Sequence, residues 1–433
     1  ADLAERSLDV QYYQWDPDAT GLLLARHLLR AADRGVRVRI LVDDVNFEDR
    51  DANLAAFDAH PNVEVRLFNP FPHRFSKLMG FLTDFDRLNH RMHNKLLVMD
   101  NAVAIVGGRN MGDAYFEVDE DFNFRDLDIA AAGPVVRDLS KVFDRFWNGD
   151  WSVPVAAMVD RTYTELELRT AMQGGRIAAM TARYPHPLNQ DLGTLRAELA
   201  GTFGRFVWAP GRVIYDDPAS IDDPSLRVMN QLMHKRIAGV EKELLIESAY
   251  FIPFKDGVAF AKALVDRGVR FRVLTNSLAS NDVIPAFAGY SISREGLVKV
   301  GVELHELRYE PGPARKRQLP AGSKAGLHTK TMVFDRKDVF IGSFNLDARS
   351  STINTEAGLY VESPALAAQV VEYLDEGVGP EVSYRVLMDN NGELYWIASD
   401  DGKPLRYDTD PLSTPEQRFK AQFWKILPIL EQL

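Results

Sequence analysis

The chain has 433 residues, 46% hydrophobic and 26% charged, with 51 basic and 62 acidic side chains, a net charge of -11 and no cysteine. Such an apolar fraction excludes wholesale disorder, and the length corresponds to about two or three domain equivalents. The missing cysteine excludes a disulfide scaffold, a thiolate metal site and a cysteine nucleophile, the acid excess argues against bulk coating of nucleic acid, and no run of 18 apolar residues offers a membrane-spanning helix.

In chain order, Ala1 to Val10 reads as folded protein, without the charged and apolar regions of a signal peptide. Leu8 to Trp15, rich in Val, Tyr and Trp, is expected to be a strand. A helix is expected from Gly21 to Arg34, with Thr20 as N-cap and Gly35 at its end. Val36 to Val42 reads as strand, Asp51 to His60 as helix and Val63 to Leu67 as strand. Asp43-Asp44 ends a strand with no further ligand beside it, which speaks against a metal site there. Phe68, Phe71, Phe75, Phe81 and Phe85 cluster with Pro70, Pro72 and Gly80, either packed under a long loop or forming an apolar rim for acyl chains.

Val153 to Asp223 is less regular, with turns at Tyr184-Pro185-His186-Pro187 and Asp216-Asp217-Pro218. Leu244 to Phe251 is a strand, Gly257 to Arg267 a helix ended by Gly268, and Val269 to Leu274 a strand. Arg308, Arg315, Lys316, Arg317 and Lys324 form a basic stretch, read as a solvated loop or as an attraction for anionic headgroups. Tyr384 to Met388 and Leu394 to Ile397 flank Asp389-Asn390-Asn391-Gly392 as a hairpin, and Asp400-Asp401-Gly402-Lys403 is a second turn. The amphipathic tail from Arg418 to Leu433 suits core packing or, as the rarer use, contact with a membrane surface.

Three pairs of segments recur in the same order at nearly one offset. Arg34 to Arg39 returns as Arg267 to Arg272, His93 to Asn110 as His328 to Asn345, and the stretch opening at Asp126 as the one opening at Glu356. The chain therefore holds two copies of one unit, and strand–helix–strand order in both favours α/β sheets with parallel cores. His93, Lys95 and Asp100 precede Gly107-Gly108-Arg109-Asn110, and His328, Lys330 and Asp335 precede Gly342-Ser343-Phe344-Asn345. One such pattern is a common coincidence, whereas its repetition with Gly and Asn at the same distances is not. Residues two apart on a strand share a face, so each copy presents an imidazole beside an ammonium, joined by an Asn from the next turn. Two His, two Lys and two Asn around one pocket suit a phosphodiester: Lys and Asn hold its oxygens, one His attacks phosphorus and the other protonates the leaving oxygen.

On these residues the chain resembles the phospholipase D superfamily, which the duplicated motif defines, over nearly its whole length. The resemblance implies two pseudo-symmetric α/β/α halves in one bilobal unit with a shared active site. Residues 1–152 would form the first half, 153–235 a connecting region, 236–380 the second half and 381–433 a C-terminal extension. It implies a phosphohistidine intermediate, no metal ion and no other cofactor, with one monomer sufficient for one site. By position His93 resembles the nucleophile and His328 the general acid, while Lys95, Lys330, Asn110 and Asn345 resemble the phosphate binders. Ser343 would add a phosphate-binding hydroxyl that Gly108 cannot supply. Asp126 and Glu356 match the carboxylates that orient the histidines through the far ring nitrogen. Asp100 and Asp335 belong to the catalytic motif and are expected to hold it together rather than touch substrate.

Further segments narrow the resemblance. Asn276 to Asp282 with Ala288-Gly289-Tyr290, Asp9 to Trp15, and the tail from Leu427 to Leu433 are similar to bacterial cardiolipin synthases of the subgroup without N-terminal transmembrane helices. The implied reaction joins phosphatidyl groups, with phosphatidylglycerol as acceptor and phosphatidylglycerol or phosphatidylethanolamine as donor. The implied setting is the membrane surface, peripheral and at the cytoplasmic face, without nucleic acid and with room for an accessory protein. A phospholipase D hydrolase releasing phosphatidic acid uses the same groups. A metal-independent nuclease of the superfamily would need a broad basic groove, and an idle scaffold would not keep both motifs intact.

Overall fold

The computed structural model describes the chain except for residues 47–50, 73–78, 81–82, 160, 173–183, 185–189, 254–255, 314–318 and 427–433, and the side chains of 51–52 and 171–172. Phe75, Phe81, Arg315, Lys316, Arg317, Pro185 to Pro187 and the tail from Leu427 lie outside the described residues.

Two mixed sheets carry the repeat. The first runs Asp128–Ala132, Val103–Gly107, Lys95–Met99, Ser7–Tyr12, Arg37–Asp43, Val63–Phe68, Ser152–Pro154 from edge to edge. The second contains the same order as Ala357–Glu362, Asp338–Gly342, Lys330–Phe334, Glu243–Ser248, Arg270–Asn276, Glu303–Leu307, Ser383–Met388. In each, parallel pairing is confined to three strands, and the others run antiparallel. The expected parallel core is thus only the middle of each sheet. Helical crossovers build the parallel strands, and the chain then returns on the far side through tight hairpins, which can only be antiparallel.

The expected connecting region gives the second sheet an edge strand, Gly211–Tyr215, and the C-terminal extension gives it Ser383–Met388, Leu394–Asp400 and Lys403–Tyr407 at the other edge. The first crossover helix spans Ala19–Asp33, and its N-cap is Asp18, which accepts from the Gly21 amide, rather than the expected Thr20. A carboxylate caps more strongly than a hydroxyl because it carries charge toward the positive helix end. Gly35 and Gly268 follow the paired helices with φ of 91° and 87°, a conformation glycine adopts without strain.

The hairpin beyond each motif strand explains the motif's aspartate. Asp100 and Asn101 have φ of 54° and 52°, and the Ala102 amide donates to the Met99 carbonyl at 2.9 Å, which is a type I′ turn. Asp335 and Arg336 repeat it at 53° and 55°. The Asp100 carboxylate accepts the amides of Glu5, Arg6 and Ser7 at 2.9, 2.7 and 2.8 Å. Asp335 does the same for Glu241, Lys242 and Glu243 at 3.0, 2.7 and 2.9 Å. Partial burial raises each carboxyl's pKa, but the three amides outweigh it and hold both below the usual range. These two aspartates sit at the opposite end of the motif strand from the histidine, which corrects their placement among catalytic residues: they fix the register of the neighbouring strand.

Asp100→Ala should lower the unfolding free energy by about 2–4 kcal/mol, from three unpaired amides and a strained left-handed residue. Asp100→Asn, which tolerates that conformation and keeps an acceptor, should lose less than half as much in urea titrations.

Candidate active site

The two sheets meet along a pair of short parallel contacts, and these assemble the site. Strand Phe122–Arg125 from the first half pairs in parallel with Lys324–Leu327 from the second, with Arg125 opposite Leu327. The next residues, Asp126 and His328, are therefore side by side, and His328 Nδ1 lies 2.6 Å from Asp126 Oδ2. An isolated parallel bridge joins Met92 to Thr355, and again the next residues meet: His93 Nδ1 is 3.0 Å from Glu356 Oε2. The His93 amide donates to Thr355 O and the His328 amide to Arg125 O, both at 2.9 Å. Each histidine thus receives its carboxylate from the other half. With Nδ1–H donated to a carboxylate, Nε2 of each ring is left for chemistry.

Lys95 and Lys330 each donate from Nζ to the carbonyl of the histidine two residues back. Both ammonium groups are buried, 2% and 1% exposed, and burial pulls their pKa values below the ordinary lysine value. Burial also lowers both histidines, and the charges of Lys95 and Lys330 lower them further. The carboxyls move the opposite way: burial lifts Asp126 to about 6 and Glu356 to about 7. Tyr13 stands edge-on to His93, and Tyr115 edge-on to His328, each with ring centres 5.1 Å apart.

Asn110 and Asn345 are both buried, 1% and 2% exposed. Asn110 Nδ2 donates to the Tyr115 hydroxyl at 2.9 Å, and the Oδ1 atoms of both asparagines are buried without a partner. Ser343 departs from expectation. Its hydroxyl donates to Glu356 and accepts from the Ala357 amide at 3.0 Å, so it holds the carboxylate instead of facing a phosphate. Gly108 completes the contrast, because a Cβ there would lie 2.2 Å from Asp126 Oδ1. The shorter aspartate lies close to the backbone and needs glycine, whereas the longer glutamate leaves room for a serine.

Two positioning groups were not singled out as such from sequence. Asp43 Oδ2 accepts the amide of Met92, just before His93, at 2.8 Å, and its other oxygen takes Arg91 at 3.1 Å. Asn276 Oδ1 accepts the amide of Leu327, just before His328, also at 2.8 Å. Asp43 and Asn276 stand at the same offset as the Arg34 and Arg267 repeats, which is the signal that could have found them. Asp44 accepts from the Phe71 amide at 2.7 Å. The described residues include one group within metal-ligand range of each other, Asp33, His60 and Glu165, but Arg169 already binds Asp33 and Glu165 at 2.8 and 2.5 Å.

A family model described as "Cardiolipin synthase, PLD-like domain" matches residues 2–147 and 233–377, the two repeated halves. The chain belongs to the cardiolipin synthase family of phospholipase D-like proteins. It is 39% identical to cardiolipin synthase C of Escherichia coli K12, over 99% of this chain and 91% of that one. It is 27% identical to a cardiolipin synthase of Geobacillus kaustophilus, over 83% of this chain and 58% of the relative. Among solved structures, the phosphatidylserine synthase of Haemophilus influenzae Rd KW20 shares the fold with a TM-score of 0.63 at 14% identity, covering 100% of this chain and 91% of that one.

Gly108→Ala should push Asp126 away from His328 and cut turnover about 10- to 100-fold in a folded protein, the range for losing an outer-shell partner. Ser343→Ala, which removes one hydrogen bond to Glu356, should cost less. Steady-state kinetics beside melting curves separate the two effects.

Proposed function

We propose that the chain is a phosphatidyltransferase of cardiolipin synthase type, with His93 as nucleophile and His328 as general acid and base. The observation that carries this reading is the reciprocal pair: two histidines, each held at Nδ1 by a buried carboxylate of the opposite half, with two buried ammonium groups beside them. In the first step Nε2 of His93 attacks the phosphorus of a donor phospholipid, the bond to the departing headgroup breaks, and its oxygen takes a proton from His328. The diacylglycerol phosphate is then bonded to His93. In the second step neutral His328 takes the proton from a hydroxyl of phosphatidylglycerol, whose oxygen attacks phosphorus and frees His93. With phosphatidylglycerol as donor the products are cardiolipin and glycerol, so atoms and charge balance.

The lysines give the cycle its order. In the free enzyme their charges suppress protonation of both rings, leaving His93 a neutral nucleophile. A bound phosphodiester brings negative charge between Lys95 and Lys330, which favours the protonated form of His328 when an acid is required. Lys95, Lys330, Asn110 and Asn345 are the groups we assign to the phosphoryl oxygens, where charge grows in the transition state. Among the described residues no helix is long and apolar enough to cross a membrane, and phospholipid would be met at the bilayer surface.

Incubating the protein with phosphatidylglycerol and identifying products by mass spectrometry should give cardiolipin and glycerol, and His93→Ala should lower turnover by at least about 10⁴-fold. Phosphatidic acid as the sole product, or full turnover without His93, would defeat the reading. Ionised Glu356 holds and polarises His93 more strongly than its neutral form, and its raised pKa means the ionised form is lost as pH falls through about 7. kcat/KM should therefore decline on the acid side of about pH 7, and Glu356→Gln should remove that limb along with most of the activity.

A further inference from the structure

Helix Pro415–Ile426 packs along helix Ile284–Lys299 and buries Ala421, 3% exposed, in the second half's core. At roughly 100° per residue, Phe419, Phe423 and Ile426 form one stripe on the side opposite Ala421. They are 72%, 51% and 82% exposed, an unusual setting for three large apolar side chains on a helix that is already anchored. Leu412, in the turn before the helix, and Ile292, on its neighbour, are also exposed.

The charges around the stripe say what it meets. By the same angular count Lys420 lies on one shoulder of the stripe and Arg418 on the other, while Lys425 turns toward the Ala421 side, half-buried near Arg294 and Asp410. Lys420 is matched by Glu416 at 2.7 Å, while Arg418 donates to the Ser413 carbonyl and hydroxyl. In a chain of net charge -11, a basic-flanked apolar stripe is locally opposite to the surface as a whole. An apolar ridge bordered by cations is the chemistry of a helix lying in the headgroup layer of an anionic bilayer, rings in the acyl boundary and ammonium groups at the phosphates.

The supporting helix leads to the site. The loop before Ile284 starts from Asn276, the last residue of strand Arg270–Asn276, which pins the backbone ahead of His328, and contains Asp282, which accepts from the Tyr250 hydroxyl at 3.0 Å. A docked Pro415–Ile426 helix would therefore be coupled, through one helix, to the rim of the histidine pocket.

We propose that the outer face of helix Pro415–Ile426, through Phe419, Phe423 and Ile426 with Arg418 and Lys420, docks the enzyme on an anionic phospholipid bilayer. The inference deepens the phosphatidyltransferase reading by naming how the same site meets its lipid, and it rests on that reading only for the choice of a lipid partner. The test uses the full chain with vesicles of phosphatidylglycerol in phosphatidylcholine, and with phosphatidylcholine alone. The wild type should float with the anionic vesicles and much less with the neutral ones. The variant Phe419→Ser/Phe423→Ser/Ile426→Ser should bind them about tenfold or more weakly, while turning over phosphatidylglycerol dispersed in detergent micelles within about twofold of wild type. Because the chain has no cysteine, Gln422→Cys with an environment-sensitive dye gives a second readout in an otherwise intact protein. Its emission should shift to the blue on anionic vesicles, and that of a dye at Asp138→Cys should not. Undiminished vesicle binding by the triple variant, an unmoved dye at position 422, or a wild-type dimer that the triple variant dissolves in light scattering would overturn the proposal. Vesicle binding lost as predicted, in a protein that makes no cardiolipin in micelles, would instead defeat the phosphatidyltransferase reading and leave the docking surface standing.

Discussion

The structure depends on two parallel contacts between its halves. Leu327 opposite Arg125 and Met92 opposite Thr355 each place a histidine beside a carboxylate from the other sheet. Without them, four ionisable groups would be buried unpaired, at a cost of several kcal/mol each unless they changed protonation. Neither half can make a complete histidine by itself. The interface and the candidate site are the same feature, and the two-fold repeat is retained in geometry even where the residues differ.

Those differences are small compensations around one plan. The first motif uses glycine with the shorter aspartate, and the second uses serine with the longer glutamate. Asp43 and Asn276 do one job with different charge, fixing the amide that precedes each histidine. Asp43 is paired with Arg91 and both are buried, so the first half carries an ion pair where the second has a neutral amide. The copies have therefore diverged electrostatically while keeping positions, which suits a cycle in which one ring attacks and the other moves protons.

Much of this was legible in the sequence because duplication supplied an internal comparison. Equal spacing of His, Lys, Asp, Gly and Asn identified both motif strands and their two His, two Lys and two Asn, all of them buried. The role of Asp100 and Asp335 was visible only in part: nothing in spacing says that the residue occupies the left-handed corner of a type I′ turn and caps three amides of another strand. Ser343 reads as a phosphate ligand because it supplies a hydroxyl where the first motif has Gly108, and only the position of Glu356 shows that it is already engaged. Crossed pairing was hidden for a related reason, since two nearly equal offsets do not say which carboxylate serves which histidine. Net charge misled least once read locally. The acid excess lies on the remaining surface, and the two site lysines are buried among carboxylates and histidines.

Nitrogen-15 and proton NMR of labelled histidine, with Nδ1–H resonances assigned by His93→Gln and His328→Gln, addresses the crossed pairing most directly. Glu356→Gln, a change in the second half, should move the His93 Nδ1–H resonance and leave that of His328 nearly in place, and Asp126→Asn should do the reverse. If each carboxylate substitution instead perturbed the histidine of its own half, the shared site described above would be wrong.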